Sequence, residues 1–391
     1  MTTEEPSTRP SGPIFIVGAM GSGTTLLRLI LDSHEHIAIP QETGIMRTVN
    51  AQRWTPFWVF GGRWYTRLGM TEEDLLDELR RFYGRIFDRY ARSQGKQRWG
   101  EKTPWHVWHI DGILSLWPDA AVIGMTRHPG GNVSSLMTRF GYKLSQGIRH
   151  WTRYTHELVR KGSELGDNFV LCRYEDLVLH PDETVRELLD WLGEPWSDAV
   201  RRHHDVQAAR GNPTVVEGRT RADDPIDASR VAKWVDRIDE RGRRKLEERT
   251  AALSSFLGYS IAAPTEITPI VEEGGRFTRM LTGPELAKRR VTMRDVIDFD
   301  DRQPVPLADR RLRPSEIAPH PGPYRTPGAM ARARAGGPHI SAASRAPARS
   351  RKPRVSRHRR MARRALPAAV RAPLIAILRG LRRLGRRMAG R

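Results

Sequence analysis

Ile14-Phe15-Ile16-Val17-Gly18-Ala19-Met20-Gly21-Ser22-Gly23-Thr24-Thr25-Leu26-Leu27-Arg28 is an apolar run, a glycine-rich turn and a run opened by two hydroxyl residues. Residues of these types in this order hold anions. Glycines let the backbone come close to a phosphate, and the unpaired N–H groups and dipole at a helix start favour its charge. A plain strand-to-helix turn can be equally glycine-rich, but the paired threonines at the helix start favour the anion site. Against the pattern G-x-x-x-x-G-K-[ST], Gly18, Gly23 and Thr25 fit while Thr24 stands where the lysine belongs. Without that lysine an ATPase or kinase reading weakens, and a P-loop nucleotide kinase stays as the alternative enzyme. Such enzymes also need a magnesium-holding aspartate at a strand end. The apolar run 121–125 leads instead to Arg127.

Arg127 opens a second anion site. Ser135 and Arg139, four residues apart, share one face of the following helix, so the three side chains can converge on one phosphate. Two phosphate sites in one βα fold, without a magnesium carboxylate, point to a nucleotide phosphorylated at both ends of its ribose.

The Gly18–Leu31 stretch, the Arg127 to Ser135 spacing and Arg173-Tyr174-Glu175-Asp176-Leu177 together resemble the sulfotransferases that use 3′-phosphoadenylyl sulfate (PAPS). The resemblance spans about 13–236 and is nearest the branch containing tyrosylprotein sulfotransferases. In that branch the loop reads much like Ser22–Arg28 and is followed by a Glu-Thr pair like Glu42-Thr43. It implies that Gly21, Ser22, Gly23, Thr24 and Thr25 hold the 5′-phosphosulfate. Arg127 and Ser135, assisted by Arg139, would take the 3′-phosphate, Tyr174 the adenine or ribose side, and Lys233 a late phosphate contact. Glu42 is implied as the base, a role that burial beside the acceptor hydroxyl would favour, Lys102 as the stabiliser of the leaving oxygen, and Thr220 as a last stabiliser. Gly21 departs from the pattern: many relatives carry Arg or Lys there, and Arg28 or Lys102 are the candidates to supply the charge. PAPS is then the co-substrate, with no metal expected. The acceptor is a hydroxyl, or an amine, on a small molecule, carbohydrate, lipid or peptide. Trp54, Phe57, Trp58, Phe60, Trp64 and Tyr65 could line its pocket, although core packing is the safer role for most of them.

These residues need a scaffold, and the apolar runs 14–17, 121–125 and 169–172 read as buried strands alternating with amphipathic helices. The fold class is α/β, a P-loop-like parallel sheet flanked by helices. Thr71 should cap a helix with Leu75, Leu79, Phe82, Ile86 and Tyr90 on its core face. Further helices are expected near 105–116, 131–140, 145–165, 183–192, 228–236 and 240–256, with the body ending near Tyr259.

Composition bounds the rest. The 391 residues carry 66 Lys+Arg against 45 Asp+Glu, yet residues 321–391 hold 20 of the basic residues and no acid, leaving 46 against 45 before them. The charge distribution therefore argues against a uniformly basic nucleic-acid-binding fold and assigns the excess to a C-terminal appendage. The layout reads as a flexible N-terminus (1–12), a sulfotransferase domain (13–260), a largely disordered Pro/Arg-rich linker (261–365) and a basic amphipathic helix (366–391). In that helix Leu374, Ile377, Leu378, Leu381, Leu384 and Met388 share a face. Anionic membrane is a candidate partner for it, at about 1 kcal/mol per basic residue before screening, nucleic acid would bind it only nonspecifically, and a tail that merely solubilises the chain is the alternative. Tail-mediated binding with an idle body is the alternative of a different class. Cys172, the single cysteine, excludes an intrachain disulfide framework. With no secretory leader evident and no run of about 18 apolar residues, a cytoplasmic enzyme is expected, peripheral at a membrane face through its tail.

Overall fold

The computed structural model describes residues 10–54, 63–210, 224–263 and 277–292. The apolar runs form the centre of one sheet: β1 (Ile14–Gly18), β2 (Ile37–Ala38), β3 (Arg98–Lys102), β4 (Ala121–Thr126), β5 (Phe169–Arg173) and β6 (Met280–Thr282), in the order β2-β3-β1-β4-β5-β6. The first five run parallel and β6 is antiparallel. Ile16 lies level with Lys102 on one side and Ile123 on the other, and Thr126 with Arg173. The register therefore brings the glycine turn, Lys102, Arg127 and Tyr174 to one carboxyl edge, where parallel α/β sheets bind ligands.

The helices are α1 (Thr24–Asp32), α2 (Ile45–Trp54), α3 (Glu72–Ser93), α4 (Ile110–Leu116), α5 (Pro129–Phe140), α6 (Leu144–Gly162), α7 (Tyr174–Leu179), α8 (Pro181–Leu192), α9 (Asp198–Arg201), α10 (His203–Ala209), α11 (Glu240–Phe256) and α12 (Gly283–Thr292). Every residue of β1 is buried, so its alternating side chains feed different cores. Ile14 and Ile16 join α1 and α8 through Leu27, Ile30 and Leu188. Val17 joins α6 and α11 through Trp151, Leu158 and Leu253, and Phe15 joins α3 and α4 through Phe87, Trp99 and Ile113.

Three expectations are corrected. Thr71 does cap α3, and Asp74 completes a capping box, but the core row is Leu75, Leu79, Tyr83, Phe87 and Ala91, while Phe82 and Ile86 are 51% and 50% exposed. Adjacent apolar pairs at 82–83 and 86–87 made two rows possible. Phe87 stacking on Trp99, with ring centroids 4.5 Å apart, fixes which one turns inward. The segment 228–236 is no α-helix: Asp227 caps one 3-10 turn (Ala228–Arg230), and further turns follow that carry Val231 and Trp234 into the core. The ordered body also passes Tyr259, because β6 covers the edge of β5, pairing Leu281 with Leu171, and α12 buries Leu286. Most of the linker and the whole terminal helix lie outside the described residues.

Candidate active site

A cleft of about 520 Å³ opens at the carboxyl edge of the sheet. Gly21, Gly23, Thr24, Thr25, Arg127 and Tyr174 line it, joined by Ser135 and Arg139 from α5 and by Lys233 from the late turns. Of the residues expected to hold the nucleotide only Ser22 is missing from its wall. That side chain is fully buried, and its Oγ has no hydrogen-bond partner among the described residues.

The turn opens onto the cleft at the start of a helix. Gly23, at φ 99°, precedes α1, and no side chain caps that helix, so the first-turn N–H groups have only the cleft to face. A Cβ on Gly23 would stand 2.6 Å from Tyr174 Cδ2, which closes the turn against the ring. Two residues missed in the sequence hold the Met20 peptide: Asn132 Nδ2 donates to its carbonyl at 3.0 Å, and its N–H donates to His150 Nε2 at 3.3 Å. Burial lowers the His150 pKa to about 4, with Arg153 adding to it, so the ring stays neutral and can accept.

Arg127 connects the two halves of the cleft. Its guanidinium lies 4.0 Å above the Tyr174 ring, Nη1 donates to the Gly21 carbonyl at 3.3 Å and Nη2 to the Arg230 carbonyl at 3.4 Å. Nε is buried without a hydrogen-bond partner among the described residues. Behind it His128 caps α5 by accepting the Gly130 N–H on Nδ1, donates from Nε2 to Ser260 and stacks on Trp234. That ring is structural, its pKa pushed down to about 4 chiefly by burial.

Lys102 and Glu42 meet beside the turn. The buried Lys102 Nζ donates to Glu42 Oε1 at 2.6 Å and to Thr25 Oγ1 at 3.1 Å. Glu42 lacks the burial that would favour its role, since 42% of its side chain is exposed. It sits on the loop after β2 and stays open to an incoming molecule, while Lys102, at the end of β3, is walled in by the sheet. Arg28, the other candidate for the charge absent at Gly21, is buried and donates to the Ile39 carbonyl.

Glu101, which the sequence reading passed over, fixes that loop. Its Oε1 accepts from Thr43 N at 3.1 Å, Thr43 Oγ1 at 2.9 Å and Thr103 Oγ1 at 2.6 Å, and Oε2 lies 2.8 Å from His106 Nδ1. Burial alone would raise its pKa, but His106 and the two hydroxyls outweigh that and hold it at about 2. Consecutive strand residues point to opposite sides, so Glu101 grips the Thr43 backbone and Lys102 the neighbouring carboxylate. Alternation along Gly100-Glu101-Lys102-Thr103 was the available signal.

Lys233 lines the cleft, but its Nζ is bonded to Asp227 Oδ2 at 3.2 Å. Thr220, Phe57, Trp58 and Phe60 lie outside the described residues; Tyr65 is buried and Trp64 is 36% exposed.

Residues 13–198 match the family model described as "Sulfotransferase family". Among curated proteins the chain is 29% identical over 259 residues to protein-tyrosine sulfotransferase 1 of Danio rerio, covering 63% of this chain and 72% of that protein. It is likewise 29% identical over 261 residues to protein-tyrosine sulfotransferase of Drosophila melanogaster, of which it spans about half, 51%. Among solved structures, the sulfotransferase domain from the Synechococcus PCC 7002 olefin synthase aligns over 66% of this chain and 99% of that one, with 21% identity and a TM-score of 0.47.

Proposed function

We propose that this protein, whose residues 13–198 match the sulfotransferase family model, moves a sulfuryl group from PAPS to a hydroxyl acceptor, releasing adenosine 3′,5′-bisphosphate. The observation that carries the reading is that one cleft is walled both by an uncapped helix start and by Arg127, Ser135 and Arg139. A buried, unpartnered Arg127 Nε and a volume of about 520 Å³ suit a nucleotide with two separated phosphates.

When bound, PAPS supplies an activated sulfuryl group on a phosphate leaving group. The chain's part is positioning and charge, as in phosphoryl transfer. First-turn N–H groups of α1 and the Thr24 and Thr25 hydroxyls hold the 5′ end, and Arg127 with α5 holds the 3′ end. Glu42 takes the acceptor's hydroxyl proton as the new S–O bond forms. Lys102 Nζ, beside Thr25, offers its charge to the bridging oxygen as the old S–O bond breaks. With Gly21 carrying no side chain, Lys102 is the cation at that end. Because the relatives are protein-tyrosine sulfotransferases, a tyrosyl hydroxyl in a peptide is the acceptor to try first.

Calorimetry tests the reading. The full chain should bind adenosine 3′,5′-bisphosphate without metal, and Arg127→Ala should weaken that binding tenfold or more, the order expected for losing a charge-assisted contact. Uptake of ATP with magnesium in place of the bisphosphate would point to a nucleotide kinase and sink the proposal.

A further inference from the structure

Resting on the bisphosphate reading above, we infer that Arg237 is a donor-binding residue, the cation with which segment 224–237 adds to the 3′-phosphate grip of Arg127, Ser135 and Arg139. That segment lines the cleft with Asp224 and Asp227 and with Arg230, Lys233 and Arg237. Four of these charges answer one another. Arg230 Nη2 lies 3.3 Å from Asp224 Oδ2, its Nε 3.3 Å from Asp227 Oδ2, and Lys233 Nζ 3.2 Å from the same Asp227 oxygen.

Arg237 differs: among the described residues its side chain makes no ion pair or hydrogen bond, and it is exposed to the cleft. The net positive charge that this segment turns toward the cleft is therefore that of Arg237. The turn carrying it is fixed to the phosphate site from behind. Trp234 is 2% exposed and stacks on His128, the cap of α5, with ring centroids 4.8 Å apart. Arg237 N donates to the Trp234 carbonyl at 3.1 Å, and Arg127 reaches the Arg230 carbonyl. A guanidinium on this anchored turn presents its donors as a planar fork suited to phosphate. Lys233, the residue the family resemblance would choose for a late phosphate contact, has an acid to leave before it can serve.

The test is calorimetric titration of the full chain with adenosine 3′,5′-bisphosphate and with adenosine 5′-monophosphate. Arg237→Ala should weaken bisphosphate binding about tenfold, the lower end for a charged hydrogen bond, and leave the monophosphate unchanged, while Arg237→Lys recovers part of the loss. Asp227→Asn in the Arg237→Ala background should also recover part of it. An asparagine still accepts the Ser229 N–H that Asp227 accepts at 3.0 Å, but it no longer neutralises Lys233 and Arg230. A purely structural Arg237 would show no such rescue. Arg244, which pairs with Glu240 on α11, serves as a control for general loss of charge. Bisphosphate affinity in Arg237→Ala within about twofold of wild type, equal losses on the two nucleotides, or an equal loss in Arg244→Ala overturns the assignment. Failure of the wild-type chain to bind the bisphosphate is a different result, removing the sulfotransferase reading and this inference with it.

Discussion

Lys102 Nζ stands 2.6 Å from Glu42 Oε1, a fully buried cation holding a carboxylate that is 42% exposed, and the same nitrogen reaches Thr25 of the glycine turn. One strand-end lysine thus links the proposed base to the glycine turn. Removing either partner separates binding from chemistry. Glu42→Gln should cut transfer to a tyrosyl peptide by about 10²-fold or more, the scale of general base catalysis, while the calorimetric affinity for adenosine 3′,5′-bisphosphate stays near wild type. Lys102→Met, which keeps the buried stem, should lose transfer as well. Full transfer in Glu42→Gln would remove it as the base.

Glu101 supports that pair from beneath. Glu101→Ala leaves the Thr43 N–H, two hydroxyls and His106 without their shared acceptor. The chain should lose roughly 3 kcal/mol, as when one side of a buried charged network is deleted, and Tm should fall by roughly 5–10 °C. Glu101→Gln, similar in shape, should fall less. An unchanged Tm in the alanine variant, read by calorimetric scanning, contradicts this account.

Gly23 offers a sharper test of the turn. At φ 99°, with Tyr174 Cδ2 2.6 Å from where a Cβ would stand, Gly23→Ala is strained twice. Bisphosphate binding should drop at least about tenfold through displacement of the first-turn N–H groups, a loss of about 1.4 kcal/mol. Tyr174→Leu on the same background relieves the contact but not the backbone, so it should restore only part of the affinity.

Acid should unfold the protein early. Burial, with like charges adding to it, lowers the pKa of His109 to about 3 and of His150 to about 4; burial and Arg127 lower that of His128 to about 4 against an opposing bond to Ser260. The unfolded chain takes up these protons near pH 6.5 and the folded one resists them. The stabilisation is complete above about pH 6.5 and is lost as pH falls toward 4 and then 3. Tm measured from pH 7.5 to 4.5 should decline steadily, and a flat profile would mean that the buried rings find compensation on protonation.

The strands β1, β4 and β5 and the glycine turn could be read from the chain, because a doubly covered parallel strand is a continuous apolar run and a tight strand-to-helix turn at positive φ needs glycines. That Arg127, Ser135 and Arg139 would line one cleft could be expected for a similar reason: strand end and helix spacing are local properties. Which row of α3 faces inward was not, since neighbouring apolar residues at 82–83 and 86–87 satisfy the same period and only contact with Trp99 separates them. Nor could the chain reveal that Glu42 is open while Lys102 is sealed, or that Asp227 pairs with Lys233 while Arg237 has no ion pair among the described residues. Those facts depend on burial and on partners brought together from separate segments, which local spacing does not encode.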